Sequence, residues 1–408
     1  MTATPKPAAV AAAQSSAGDA APARHIPFHR PSIGQAERDA VMEVLDSRWL
    51  TTGQRTVAFE EAVKNRLGCG HAVAVNSATA ALHLILEALG IKAGDEVVVP
   101  TYTFAACGET VRYLGARPRL ADVDPVTFNA TAATIEAQLR PETKAIMVVH
   151  FGGLMADMDP ILELARSRNL PVIEDAAHAL PCSRDGREAG TVGTAGALSF
   201  YATKTVTTGE GGMLLTDSPE IANRARSMRL HGLTRDAWKR YSGGGSWYYE
   251  IEDVGFKYNL TDVAAAIGLV QLDRAEAMRV ERERVARRYD RAFAASAIAD
   301  LVELPAAAGP NEVHAWHLYP IRLHLDRVAV TRAEAIDRLA EAGVGTSVHF
   351  IPLHLHPYYR RTYGYAPADL PVANLQFERE ISLPIYPDLS DDEVDYVVDR
   401  LATILKPQ

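Results

Sequence analysis

From residue 71 to residue 175 the sequence repeats one pattern: a short apolar run, a turn, then a stretch with helical spacing. The apolar runs cover 71–75, 96–100, 117–123, 145–151 and 171–175, and helices are predicted at 79–89, 104–113 and 158–168. A sheet with one wet face would alternate apolar and polar residues, whereas a run such as Val97-Val98-Val99 offers no polar face. Strands of that kind are buried on both sides, and their alternation with helices implies parallel pairing through crossovers. The predicted fold class is therefore α/β, with a large, mostly parallel sheet covered on both faces.

The pattern continues with less regularity. Helices are expected at 32–45 and 59–67, and strands at 197–202 and 213–216, on either side of a glycine-rich turn. A helix follows at 218–230, then a loop at 238–253 rich in glycine and aromatics. A long helical stretch at 261–293 links to a strand at 319–325, a helix at 332–342, a strand at 345–350 and a last helix at 391–405. These suggest a tail at 1–24, a large α/β domain at 25–275 and a smaller C-terminal α+β domain at 276–408. The tail is rich in Ala, Pro, Ser and Thr, with too little apolar bulk to pack, and reads as disordered. It also lacks the leucine-rich core of a secretory signal.

With 408 residues and a net charge of -9, the chain is acidic, which argues against a nucleic-acid partner. No apolar run approaches the roughly 20 residues that span a bilayer, so no membrane partner is expected. The cysteines, Cys69, Cys107 and Cys182, are too few and scattered for a disulfide framework or zinc site. They fit a reducing, cytoplasmic setting. The histidines at 349, 354 and 356 are poorly spaced for zinc, and no metal is predicted.

Three segments carry possible chemistry. Asn76-Ser77-Ala78-Thr79 lies between a strand and a helix. Free N–H groups and the helix dipole there suit an anion, although an ordinary N-cap has the same sequence. Glu174-Asp175-Ala176-Ala177-His178 ends a strand at the edge where α/β sheets bind ligands. A carboxylate buried there needs several donors or a cationic partner, which a protonated heterocyclic nitrogen or a loop side chain could supply. Lys204 follows an apolar run and precedes Gly209, Gly211 and Gly212. Burial would favour its neutral amine, the form that attacks carbonyls, whereas a solvated strand-end lysine would do no chemistry. Ser199, five residues earlier, could add a hydroxyl to the same anion site. A phosphate cradle, a carboxylate and an amine, in that order, match what pyridoxal 5′-phosphate requires.

The combination resembles the DegT/DnrJ/EryC1/StrS family of sugar aminotransferases, which have the pyridoxal-phosphate transferase fold of type I. The likeness runs from about residue 26 to the C-terminus. It rests on Asn76-Ser-Ala-Thr-Ala-Ala-Leu-His83, Pro100-Thr-Tyr-Thr-Phe104, Glu174-Asp-Ala-Ala-His178, Ser199-Phe-Tyr-Ala-Thr-Lys204, Gly209-Glu-Gly-Gly212 and Gly255-Phe-Lys-Tyr-Asn-Leu-Thr-Asp262. By resemblance, Lys204 links covalently to the cofactor and then shuttles the proton, while Asp175 holds its ring nitrogen protonated. Phe104 stacks on the ring, with His178 nearby. Ser77, Ala78, Thr79 and Ser199 meet the phosphate. Asn259 reaches the phosphate of a partner subunit's cofactor, which implies a homodimer.

Residues 231–249 look most like the enzymes of nucleotide-linked 4-keto-pentoses, so His231, Lys239 and Arg240 are candidate substrate contacts; His349 is another, because residues 349–356 read as a separate substrate-facing loop. The expected reaction is amination of a nucleotide-diphosphate 4-keto sugar, with glutamate as amino donor. Two relatives of the same fold are alternatives, a sugar 3-aminotransferase and a dehydratase; the dehydratases carry histidine where Lys204 stands. A non-catalytic ligand sensor is the third alternative. A nicotinamide dehydrogenase is disfavoured, since no predicted strand ends in Gly-x-Gly-x-x-Gly.

Overall fold

The structure, a computed structural model, describes residues 24–233 and 248–405. The predicted tail thus lies, apart from Arg24, outside the described residues, as do Lys239 and Arg240.

Seven strands form the large sheet: β1 (His71–Val75), β2 (Glu96–Pro100), β3 (Arg117–Ala121), β4 (Thr143–Val149), β5 (Val172–Asp175), β6 (Ala195–Ser199) and β7 (Gly212–Thr216). Their order is β1-β7-β6-β5-β4-β2-β3. Strands β3, β2, β4, β5 and β6 pair in parallel, and β7 runs antiparallel to both neighbours. The continuous apolar runs are explained by the two-sided burial. Val98, Ile146, Val148 and Leu215 point into one core, and Val97, Val99, Met147, Val149 and Leu214 into the other. This is the α/β architecture expected from the sequence, a large, mostly parallel sheet covered on both faces.

The helices up to the linker are α1 (Gln35–Ser47), α2 (Gln54–Leu67), α3 (Ala78–Ala88), α4 (Ala105–Tyr113), α5 (Ala132–Glu136), α6 (Met158–Ser167) and α7 (Pro219–Met228). Helix α3 is buried from Ala80 through Leu86 because it packs against β6 and β7 as well as α4 and α7. Its Ser77 cap accepts from the Ala80 N–H at 3.1 Å.

The periodicity over 261–293 predicts one helix, but the structure has two, α8 (Asp262–Asp273) and α9 (Ala275–Ala294), separated at Arg274. The Arg274 guanidinium bonds the Glu37 carboxylate at 2.5 Å and the Ser32 hydroxyl at 2.9 Å. Helix α8 packs on α1 and α2, so the break lets α9 turn to a different core.

Beyond α9, a second sheet is built from β8 (Val302–Glu303), β9 (Tyr319–Leu323) and β10 (Glu380–Leu383), all antiparallel. The helices here are α10 (Arg332–Glu341), α11 (Pro357–Tyr363), α12 (Pro371–Arg379) and α13 (Asp391–Ile404). Capping boxes at Thr331/Glu334 and Ser390/Glu393 start α10 and α13. Ile26 packs into this second core with Tyr289, Tyr319 and Val344.

The strand expected at 345–350 is not formed; the segment makes one isolated bridge, Ser347 to Ser382. Its backbone groups have other partners: Gly345 N–H donates to Ile26 O at 2.8 Å, and His349 N–H to the Glu380 carboxylate at 3.0 Å. The strand β10 was not predicted, because Glu380-Ile-Ser-Leu383 is too short and mixed to read as one.

Candidate active site

A cavity of about 510 Å³ opens at the carboxyl ends of β1, β2, β4, β5 and β6, where an α/β sheet receives ligands. Of the residues proposed from sequence, it is lined by Ser77, Ala78, Thr79, Phe104, Asp175, His178, Ser199, Lys204 and His349. Asn259 and His231 do not line it. Asn259 donates to Thr52 Oγ1 at 2.8 Å and accepts from Lys257 Nζ at 2.5 Å. His231 is exposed, with its backbone N–H on Phe256 O at 2.8 Å. Arg229, at the C-terminal end of α7, is an internal ion-pair partner, 2.5 Å from Glu60.

Each wall has a local cause. The first turn of α3 leaves the N–H groups of Ala78 and Thr79 without intrahelical acceptors. Close approach by β7 is possible because residue 212 is glycine: a Cβ there would fall 2.3 Å from the Ser77 carbonyl carbon. Gly209 supplies the other requirement of the turn, a φ of +82°. Ser199 closes β6, its Oγ accepting from the Tyr201 N–H at 3.3 Å. Hydroxyls, small side chains and free N–H groups thus converge as a phosphate would need.

Asp175, at the end of β5, is buried and held at both oxygens. Oδ1 accepts the Ala177 N–H at 3.0 Å, and Oδ2 accepts the Cys107 thiol at 2.9 Å. Burial and the Asp175 charge push the thiol well above its ordinary range, so Cys107 remains a donor. Neighbouring Glu174 serves the fold. Its carboxylate accepts from His150 Nε2 (2.8 Å) and from the backbone of Gly190, Val192 and Gly193 (2.9, 2.7 and 2.6 Å). Burial would raise its pKa, but those bonds outweigh it and lower the carboxyl.

Lys204 sits in the turn after β6, its N–H on Tyr201 O at 2.9 Å. Enclosure lowers its amine from 10.5 to about 8; the Asp175 charge opposes the shift and the Arg282 charge reinforces it. Nζ lies 3.4 Å from His317 Nε2. The His178 and His317 rings are 4.4 Å apart, and Phe350 stacks on His178 at 5.7 Å. Burial holds both imidazoles well below the usual range, with the Lys204 charge adding to it. Lys204 is therefore surrounded by neutral rings that do not neutralise its charge.

The chain as a whole is similar to known proteins. Residues 31–402 match the model of the DegT/DnrJ/EryC1/StrS aminotransferase family. The chain belongs to that family. It is 46% identical over 386 residues to the spore coat polysaccharide biosynthesis protein SpsC of Bacillus subtilis, covering 93% of this chain and 97% of SpsC. The aminotransferase TlmJ from Streptoalloteichus hindustanus superposes with a TM-score of 0.85 at 35% identity, over 93% of this chain and 98% of TlmJ. The PLP-form of Spr1654 from Streptococcus pneumoniae does so at 0.85 and 32%, with the same coverage. The family is pyridoxal-phosphate dependent, and family and neighbours together support sugar aminotransferase activity.

The cavity also brings in residues that the sequence did not single out. His317, Thr103 and Tyr201 line the cavity, and Cys107 orients Asp175 from behind. Nothing local signals His317, which reaches Lys204 across 113 residues. The remaining histidines of 349–356 are engaged elsewhere: His354 Nδ1 with Thr101 Oγ1 at 2.8 Å and His356 Nε2 with Ile351 O at 3.2 Å. Among the described residues there is no group of three or more His, Cys, Asp or Glu that could hold a metal, and no helix long and apolar enough to cross a membrane.

Proposed function

We propose that the chain is a pyridoxal 5′-phosphate-dependent aminotransferase that converts a nucleotide-diphosphate 4-keto sugar, of pentose type, to the 4-amino sugar, with glutamate as donor. One observation carries the reading: an amine near pKa 8 (Lys204), a buried carboxylate (Asp175) and the open first turn of α3 share one cavity. Such a donor set fits the cofactor's aldehyde, ring nitrogen and phosphate respectively. When bound, the cofactor supplies an electron-withdrawing ring that accommodates the electron pair left when an amino acid loses its α-proton.

The protein's share is binding, orientation and proton transfer. Ser77, Ala78, Thr79 and Ser199 hold the phosphate, Phe104 covers the ring, and His178 packs beside it. Asp175, oriented by Cys107 and Ala177, would hold a protonated ring nitrogen against its carboxylate. Lys204 Nζ would anchor the cofactor through its aldehyde carbon, then take the α-proton from the donor and return it to that carbon, on the far side of the nitrogen. Across both half-reactions glutamate leaves as its 2-oxo acid and the keto carbon of the sugar becomes the amine-bearing carbon. His349 is a substrate contact on the cavity wall, and His231, Lys239 and Arg240 are proposed to reach the nucleotide. We take Asn259 to serve the partner subunit's site, making a homodimer the active unit, and a reducing cytoplasm as the compartment. The small domain is proposed to begin near residue 276.

The test is spectroscopic, then chemical. Adding pyridoxal phosphate should give a protein-bound visible absorption band that glutamate bleaches; an intact band in Lys204→Ala would remove the lysine from its role. A panel of nucleotide 3-keto and 4-keto sugars then decides the position of amination, and turnover of 3-keto sugars alone would overturn the narrower claim. Mixing exchanged Lys204→Ala and Asn259→Ala subunits should restore activity above either variant. No gain would count against shared sites.

A further inference from the structure

A buried chain of hydrogen bonds runs from β10 to the wall of the cavity. Glu380, the first residue of β10, is fully buried, with Oε2 accepting the His349 N–H at 3.0 Å and Oε1 2.5 Å from Ser382 Oγ. Ser382 lies on the same face of the strand, two residues on, and is likewise fully buried. Its Oγ is 3.1 Å from His349 Nδ1. His349 lines the cavity, and its ring stacks on Phe28 at 5.3 Å. With Nδ1 occupied by Ser382, Nε2 is the ring nitrogen that His349 can offer to a ligand.

We propose that Glu380, Ser382 and His349 form a proton relay that decides whether His349 presents Nε2 to the sugar substrate as a hydrogen-bond donor or as an acceptor. The substrate named here rests on the nucleotide-sugar reading above. The logic follows from the single proton of a neutral imidazole. With Glu380 ionised, Ser382 O–H donates to Oε1, Ser382 Oγ accepts Nδ1–H, and Nε2 is bare. With Glu380 protonated, its O–H donates to Ser382 Oγ, the serine hydroxyl donates to Nδ1, and the imidazole proton sits on Nε2. Conversion takes up one proton at Nε2, passes the Nδ1 proton to Ser382 and passes the serine proton to Glu380. No other bond changes. In its donor form Nε2–H suits a keto oxygen; the bare form suits a sugar hydroxyl.

The surroundings set where the change occurs. Burial raises the Glu380 carboxyl to about 8, while Ser382, the His349 N–H and the charges of Arg332 and Arg322 pull the other way. The charge of this carboxyl also acts on the phenol of Tyr102, which is buried without a hydrogen-bond partner. Burial and the Lys204 charge lower His349 to about 4, so the imidazole is neutral on both sides of the change. Hence below about pH 8 Glu380 holds its proton and His349 donates; above it Glu380 is ionised and His349 accepts.

Nitrogen NMR of the full chain labelled with 15N-histidine, with His349→Gln assigning the resonance, tests this directly. From about pH 6 to about pH 10, the wild-type spectrum should show the His349 nitrogens exchanging pyrrole-type and pyridine-type shifts, with a midpoint near the Glu380 value of about 8. Glu380→Gln and, independently, Ser382→Ala should each abolish the exchange while the other histidines titrate as before. One tautomer throughout in the wild type, or an exchange surviving in either variant, overturns the relay. No sugar is added, so a negative result leaves the aminotransferase reading standing. A chain that exchanges tautomer but aminates no nucleotide sugar leaves the relay standing.

Discussion

Replacing Gly212 with alanine probes the proposed phosphate cradle at its tightest contact. The added Cβ would lie 2.3 Å from the Ser77 carbonyl carbon, 2.4 Å from its oxygen and 2.6 Å from Ala78 N. Non-bonded carbons rest about 3.5–4.0 Å apart, so the start of α3 or of β7 must retreat by at least about 1 Å. Neither is free to do so. Gly212 is registered against Val75 on one side and Ser199 on the other, and α3 is held by its buried circumference. Overpacking of this kind costs about 1–3 kcal/mol of stability. At the site, losing one hydrogen bond to a charged phosphate is worth about 1.5–3 kcal/mol, roughly a 10- to 150-fold weaker affinity. The assay pairs urea unfolding of the cofactor-free chain with a pyridoxal phosphate titration. Gly364→Ala is the control: its φ of +77° makes alanine strained, but a Cβ there meets nothing within 4 Å. It should lose stability and retain cofactor affinity. If Gly212→Ala binds the cofactor within about twofold of wild type, the cradle has been wrongly located.

Three further outcomes follow from the same geometry. Because Lys204 is lowered to about 8, its neutral fraction is small at pH 7 and large at pH 9. The initial rate of cofactor capture should rise about tenfold over that interval and then level off; a rate still climbing beyond about pH 10 would contradict the shift. Cys107→Ala takes the thiol from Asp175 Oδ2, and cofactor affinity should fall by about 1 kcal/mol, less than for Asp175→Asn. Equal losses in the two variants would show that the thiol does more than orient the carboxylate. Glu174→Gln breaks a buried pair and should cost about 3–5 kcal/mol in neutral urea melts. The Glu174 carboxyl is lowered in the fold, so its stabilisation is present above the ordinary carboxylate range and lost as pH falls through the folded value. The stability gap between wild type and Glu174→Gln should therefore narrow on acidification, and a constant gap would refute the sign.

Much of the scaffold was legible from residue patterns. Val97-Val98-Val99 reads as a strand buried on both faces, and Ser77 as a helix cap, because both signals are local. Strands β1 and β2 lie where they were predicted. The pattern failed where tertiary contacts overrode it. Arg274 interrupts an unbroken helical periodicity because Ser32 and Glu37 bind its guanidinium, and neither glycine nor proline marks the break. Residues 345–350 have strand-like composition, but Ile26 and Glu380 take their backbone groups.

The site divides in the same way. Lys204 between an apolar run and a glycine-rich turn, and Asp175 at a strand end, could be singled out without coordinates, as could the open turn at Ser77-Ala78-Thr79. Each depends on the backbone within a few residues of itself. The sequence could not show that Cys107 holds Asp175 across 68 residues, that His317 meets Lys204, or that Glu380 and Ser382 grip His349 from another sheet. Strand and helix periodicities arise from bonds between near neighbours, and so they are written along the chain. The convergence of side chains on one cavity depends on how β-strands stack and on which core each helix chooses, and no short window of sequence contains it.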